Sequence, residues 1–260
     1  MSNISRLRSK LSELELLILN ALVIRKVALT SHLASICLNI HTPNTERRIQ
    51  RFCKKLESLK LIKSTTIKIA HAMGGALALR WQITRLGLKI ALMDGAELSC
   101  KLRYWNENTG LATAEHTFEV NDLECSLLKE QYNNANFKVE EIKREPYCWR
   151  KWSGIDLKPD MFARVSSNDK SKNYFIELDR GTIKPGAFLE KCRLYRDYLV
   201  QTYQTEWNST IPRVLWVTLD QPRAERFKRH LGADMGKFAG IFRVITKADF
   251  ASEILGVKNG

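Results

Sequence analysis

Asp160, Glu177 and Asp179 are three carboxylates whose placement suggests shared chemistry. Pro159-Asp160 opens an extended apolar segment, and Glu177 and Asp179 stand two apart inside YFIELD, residues 174–179. Alternate residues of a strand share a face, so Glu177 and Asp179 project together. Pairing of the two segments as neighbouring strands brings Asp160 to them, with Lys158 and Arg180 at the margins. Phe175, Ile176 and Leu178 bury the second strand, where a carboxylate is costly unless a cation accompanies it. A divalent ion is the natural companion: Mg²⁺ or Mn²⁺ takes carboxylate oxygens and keeps water and phosphate oxygens at its other positions. This predicts Asp160, Glu177 and Asp179 as metal ligands, and activation of a metal-bound water as the chemistry. A metal-free ion-pair network, Asp160 with Lys191 or Glu177 with Arg180, is the competing expectation.

Several elements must hold those carboxylates. Periodicity predicts a helix over His116–Gln131 and strands over Asn136–Glu145, Asp160–Val165 and Tyr174–Asp179. A long amphipathic helix follows over Pro185–Tyr203, with Pro185 near its start. Next come an apolar strand, Arg213–Leu219, a helix over Arg223–Leu231 and a strand over Ile241–Thr246. The order α-β-β-β-α-β predicts an α/β sandwich. On the long helix Lys191, Tyr195 and Tyr198 share one face at spacings of four and seven. His116 aligns with Val120, Leu123 and Leu127, an inward-facing stripe where histidine is more often a core residue than a catalyst.

Charge separates this region from what precedes it. The 260 residues carry 42 Lys and Arg against 28 Asp and Glu. Residues 1–104 hold 18 basic and 6 acidic side chains, a net +12, which leaves +2 for the remainder. Positive charge gathered in one small module suits a polyanion, because neutralised phosphates release condensed counterions. That module reads as a helix over Ser12–Arg25 with Ser12 and Glu15 at its cap, a helix over Thr30–Leu38, and a third opened by Pro43 and Asn44. Ile49, Phe52, Cys53, Leu56 and Leu59 form the apolar face of the third, and Arg47, Arg48, Arg51, Lys54 and Lys55 the opposite one. Two strands, Lys63–Ala70 and Ala76–Thr84, follow around a Met73-Gly74-Gly75 turn. Three helices and a hairpin in this order make a winged helix-turn-helix. Asn44, Thr45, Arg47, Arg48, Arg51 and Lys54 are then the DNA-facing residues. The expected division is a winged-helix domain over 1–104 and a second domain over 105–260, joined through a turn-rich stretch at 107–113.

Composition excludes other classes. No apolar run approaches the ~18 residues of a membrane span, and mean hydropathy is −0.28. The N-terminus is charged every few residues, unlike a signal peptide, so a cytoplasmic location is expected. Six cysteines and five histidines are dispersed, which argues against a disulfide framework or a zinc site.

Pro159-Asp160 followed by Glu177 resembles the PD-(D/E)XK nuclease superfamily, a restriction-endonuclease-like core. The lysine that superfamily places two after the glutamate is Asp179 here, and Lys191 is the candidate for a relocated one. HTFEVNDLECSLL, LKPDMFARV, YFIELDRGT, FLEKCRLYRDYL and PRVLWVT, in that order behind a winged helix, resemble the replication-relaxation family, and within it the MobC-type plasmid relaxases. The resemblance implies a two-domain α+β protein that nicks one DNA strand at a plasmid transfer origin by metal-assisted attack on a phosphodiester. It implies that Lys191 neutralises charge on the phosphoryl group, and that Tyr195 or Tyr198 is the nucleophile if cleavage is covalent. It also implies an accessory mobilisation protein and a coupling ATPase as partners. His116 with Asn121-Asp122 matches the family's helical motif, which would make His116 catalytic. A DNA-binding regulator of plasmid replication or transcription, with an inactive nuclease-like domain, is the alternative.

Overall fold

The computed structural model describes residues 3–68, 77–97, 111–168, 170–207 and 210–256. It divides into two units, Met1–Tyr132 and Asn133–Gly260.

Reciprocal capping starts the helices of the first unit. After α1 (Asn3–Arg8), Ser12 accepts from the Glu15 amide, and the Glu15 carboxylate returns to the Ser12 amide, opening α2 (Glu13–Arg25). A three-residue strand, β1 (Val27–Leu29), leads into α3 (Thr30–Leu38). Thr42 and Thr45 cap α4 (Pro43–Ser58) in the same reciprocal way. This helix buries Ile49, Cys53 and Leu56 and turns its basic face to solvent. Strands β2 (Ile62–Lys68) and β3 (Leu77–Ile83) pair antiparallel, and β1 joins on the far side of β3. The Met73-Gly74-Gly75 turn expected between β2 and β3 lies outside the described residues. Helix α5 (Arg85–Met93) closes over the hairpin, and Gly87 permits it: a Cβ there would stand 2.0 Å from the Leu61 carbonyl oxygen. Ile18, Leu22, Leu33, Ile49, Leu56 and Trp81 form the core between helices and sheet. Each such side chain contributes about 1.5–3 kcal/mol by its burial.

Helix α6 (Leu111–Asn133) departs from expectation twice. It begins at Leu111, so residues 111–113 are helical rather than part of a joining turn. It also groups with the first unit, which ends at Tyr132 and not at Tyr104. Ala114 and Phe118 pack against Val27 and Leu29 of β1. Beyond them Asn121 donates to the Val27 carbonyl at 3.1 Å, and Glu124 holds a buried ion pair with Arg25 of α2.

The second unit follows the expected order, with added short elements. Strand β4 (Phe137–Arg144) is followed by a small hairpin, β5 (Arg150–Trp152) and β6 (Ile155–Leu157), which the sequence reading did not contain. Strands β7 (Met161–Ser167) and β8 (Lys170–Asp179), helix α7 (Pro185–Thr202), strand β9 (Arg213–Thr218), helix α8 (Gln221–Met235), strand β10 (Phe242–Thr246) and helix α9 (Phe250–Leu255) complete it. The five-stranded sheet runs β10-β9-β8-β7-β4, parallel across β10, β9 and β8 and antiparallel from β8 to β4. Connections through α7 and α8 require the parallel half, and burial of β8 and β9 on both faces explains their continuous apolar composition. Phe188, Tyr195 and Tyr198 of α7 and Phe227 of α8 pack on Phe175, Val214, Trp216 and Val244.

The described cysteines, Cys37, Cys53, Cys125, Cys148 and Cys192, are unpaired. Burial pushes the Cys148 thiol up to about 12, as suits a packed side chain. No described helix is long and apolar enough to cross a membrane.

Candidate functional site

Asp160 and Glu177 meet where β7 begins and β8 ends. Met161 lies opposite Ile176 in the antiparallel pair, so the residue before β7 reaches the neighbourhood of Glu177. The Leu178 amide donates to Asp160 Oδ2 at 2.8 Å and holds that carboxylate against the strand. Glu177, 3% exposed, points at α7. There the Tyr195 hydroxyl donates to Oε1 and the Lys191 ammonium to Oε2, each at 2.5 Å. Lys191 also donates to the Lys158 carbonyl at 3.2 Å and lies 5.8 Å from the centroid of the Trp216 ring.

Electrostatics agree with this geometry. Burial raises the Glu177 pKa to about 7; Lys191 opposes the rise and the nearby Asp160 charge adds to it. Removal from water is the larger cause, and repulsion between the two acids comes after it. The same burial, reinforced by Glu177, pushes the Tyr195 hydroxyl well above its ordinary value.

Asp179 does not join them. It shares the strand face with Glu177, but α8 covers it and α7 covers Glu177. Its carboxylate pairs with the Arg223 guanidinium and accepts the Gly181 and Ile183 amides at 3.1 and 3.3 Å. Arg223 also donates to the Ile183 carbonyl at 2.7 Å, so this cluster fastens the connection from β8 to α7. The expected three-acid site is therefore an acid pair with a lysine. No group of three His, Cys, Asp or Glu side chains among the described residues is arranged for a metal ion. The pair still suits Mg²⁺ or Mn²⁺, which bind through one or two carboxylates with water and phosphate oxygens. On Glu177 such an ion would displace the Lys191 ammonium from Oε2, while Asp179, saturated by Arg223 and two amides, does not fit that role.

The tyrosines are poor nucleophiles. Tyr195 and Tyr198 are fully buried, and their hydroxyls donate to Glu177 and Glu206. Sequence reasoning placed Tyr195 on the correct face but missed its part as a clamp on Glu177. It missed Arg223 entirely, because nothing in the local pattern assigns α8 to Asp179.

In the first unit Asn44, Arg47, Arg48, Arg51 and Lys54 lie exposed along α4. Arg47, Arg48 and Arg51 make no ion pair among the described residues. Lys54 pairs with Glu57 at 2.9 Å and lies over Trp81, and Lys55 pairs with Glu15. Thr45 is consumed by the helix cap. Arg48, Arg51, Phe52 and Lys55 line a shallow groove. His116 stands half-buried on α6, in the first unit, while the acid pair belongs to the second. Its motif companions have structural partners. Asp122 accepts from His32 Nε2 at 2.8 Å, because His32 Nδ1 is occupied in accepting the Leu29 amide; Asn121 holds β1.

The family described as Replication-relaxation matches residues 19–214. No curated protein matches. Among solved structures, restriction endonuclease FokI bound to DNA is 9% identical, over 99% of this chain and 75% of that one, with a TM-score of 0.31. FokI described without DNA is also 9% identical, over 99% and 76%, with a TM-score of 0.27. Likeness at this level fixes neither fold nor activity.

Proposed function

The chain belongs to the replication-relaxation family, and from that premise we propose that it is a metal-dependent DNA endonuclease that nicks one strand, a plasmid mobilisation relaxase of the MobC type. The observation that carries the reading is the buried Glu177 carboxylate, clamped by Lys191 and Tyr195 beside Asp160.

The first unit is read as a winged helix, and α4 is the element that would enter the major groove. Arg47, Arg48 and Arg51 contact phosphates or base edges from its exposed face, and Asn44 stands at its start. In the second unit Asp160 and Glu177 would hold Mg²⁺ or Mn²⁺. Such an ion supplies Lewis-acid polarisation of the phosphodiester and an acidified water. Tyr195 fixes one Glu177 oxygen, leaving the carboxylate a single orientation. Lys191, partly exposed, places a positive charge beside the acids where a scissile phosphate would sit, and offsets charge developing on its oxygens. Buried tyrosine hydroxyls favour water over a side chain as nucleophile. The transfer origin is the proposed target, with an accessory mobilisation protein and a coupling ATPase as proposed partners.

Conversion of supercoiled to open-circular plasmid tests the reading. Nicking with Mg²⁺ or Mn²⁺, blocked by EDTA and abolished in D160A and E177A with DNA binding retained, supports it. Tight DNA binding by a wild-type protein that never nicks would support the regulator instead.

A further inference from the structure

Helix α2 carries apolar residues on every side, and this chain covers only some of them. A helix of that kind is normally enclosed all round. Leu14, Ile18, Leu22 and Val23 pack into the core of the first unit. Glu13, Leu17, Asn20 and Ile24 recur at spacings of four, three and four, which sets them on a separate stripe. On that stripe Leu17 is 50% and Ile24 38% exposed. Single exposed apolar residues are ordinary, but these two stand two helical turns apart along one line. Between them Asn20 hides its amide oxygen from water, and that oxygen accepts no hydrogen bond among the described residues. The ends of the helix differ in charge: Glu13 is exposed at its start, and Lys26 is exposed just past its last residue.

We propose that this stripe is a self-association surface, on which a second copy of the chain docks its own α2 antiparallel about a two-fold axis beside Asn20. A two-fold interface must be complementary to itself, and the stripe meets that condition. An axis midway along the helix sets Leu17 of each copy against Ile24 of the other. The two Asn20 amides then face each other. Rotation about their terminal torsions lets each donate N–H to the other's oxygen, supplying the donor that Oδ1 lacks in a single copy. An asparagine in the middle of an apolar seam also fixes the register, because a slip would set its amide against hydrocarbon. Glu13 of each copy comes to the end of the other helix, where Lys26 stands, and the opposed macrodipoles add to that attraction. A parallel pair would set like charges together at both ends. This reversal of charge about Asn20 favours a second copy over an unrelated protein. The pairing needs neither DNA nor metal, so it stands apart from the nuclease reading.

Sedimentation velocity of the full chain without DNA, over about 1 to 100 μM protein, tests it. A single pair of short helices lies at the small end of specific interfaces, so the sedimentation coefficient should rise across that range as a weak dimer forms. L17K/I24K changes only exposed positions and should stay monomeric throughout, with the melting curve of the wild type by circular dichroism. Oxidative cross-linking reads the geometry, with the wild type as the blank for the native cysteines. N20C, beside the axis, should give a disulfide-linked dimer. E13C should not, because its two copies stand about 20 Å apart along an antiparallel pair. If L17K/I24K melts early, the contrast between N20C and E13C decides the matter alone. A wild type that stays monomeric to the top of the range overturns the proposal. So does association of a folded L17K/I24K equal to the wild type's, or cross-linking of E13C as readily as N20C.

Discussion

Lys191 Nζ lies 2.5 Å from Glu177 Oε2, joining the middle of α7 to the buried end of β8. One ammonium thus serves two neighbours, the acid and the Lys158 carbonyl. Its removal should disturb the chemistry without removing either carboxylate. K191M, similar in shape but uncharged, should nick at least about a hundredfold more slowly, the scale of losing one electrostatic stabiliser. The plasmid relaxation assay with Mn²⁺ checks it, with duplex affinity measured in parallel. Wild-type rates in K191M would leave Lys191 as packing only.

Glu177 should leave a signature in stability against pH. In the fold its pKa is about 7, against ~4.3 for an ordinary glutamate. Between those values the folded chain binds more protons than the unfolded one, so stability falls as pH rises. The contribution is whole below about pH 4 and lost as pH passes through 7. E177Q, uncharged throughout, lacks that slope. Calorimetry in EDTA should show the E177Q advantage growing from pH 5 to 8, toward on the order of 3 kcal/mol. Excess Mn²⁺ should then raise the wild-type melting temperature and leave that of E177Q unmoved. A pH-independent difference would mean that Glu177 ionises in the fold as it does in water.

The sequence made much of this site legible and misplaced one member of it. Period-two alternation put Glu177 and Asp179 on one face, and helical spacing put Lys191 and Tyr195 on another; both faces exist and meet. Alternation cannot say which helix crosses above which residue, and here α7 covers Glu177 while α8 covers Asp179. Strands of three residues, such as β1, β5 and β6, are too short to show a period at all. Ser153-Gly154 is the one local signal for the hairpin. Helix α6 read correctly as a helix, but its partners lie about ninety residues earlier, beyond any local pattern.

Asp179 should behave as a structural residue. Arg223 and Asp179 are both nearly shielded from water, and breaking such a pair leaves an uncompensated charge. R223A should lower unfolding stability by about 3 kcal/mol, read from the denaturant midpoint. Nicking per folded molecule should stay within a few-fold of the wild type, with the same metal requirement. Complete loss of nicking in a fully folded R223A would return Asp179 to the catalytic set.

The exposed cations of α4 predict a salt effect. Each phosphate contact removed should reduce the slope of log affinity against log salt by about 0.9 for duplex DNA. R47A/R48A/R51A should therefore bind duplex more weakly at low salt and with a flatter slope. Anisotropy across a salt series measures both. An unchanged slope would place the DNA surface of the first unit elsewhere.

A polypeptide ending at Tyr104 should fold poorly, although it contains helices α1 to α5 and strands β1 to β3. Removing α6 uncovers Val27 and Leu29, which Ala114 and Phe118 protect, and strips the Val27 carbonyl of its Asn121 donor. It also leaves the Arg25 guanidinium, otherwise paired with Glu124, without its partner in a site where side-chain exposure is 10%. Breaking a buried ion pair alone costs about 3–5 kcal/mol, a large share of the ~5–15 kcal/mol that holds a typical domain together. A polypeptide ending at Asn133 keeps all of these contacts and should melt in one cooperative transition by circular dichroism. The shorter one should melt broadly, at a much lower temperature. E124Q in the longer polypeptide should fall between them, because it removes the charge and keeps the hydrogen-bonding shape. Equal melting of the two polypeptides would mean that α6 only rests on the first unit, and that the unit folds without its buried polar latch.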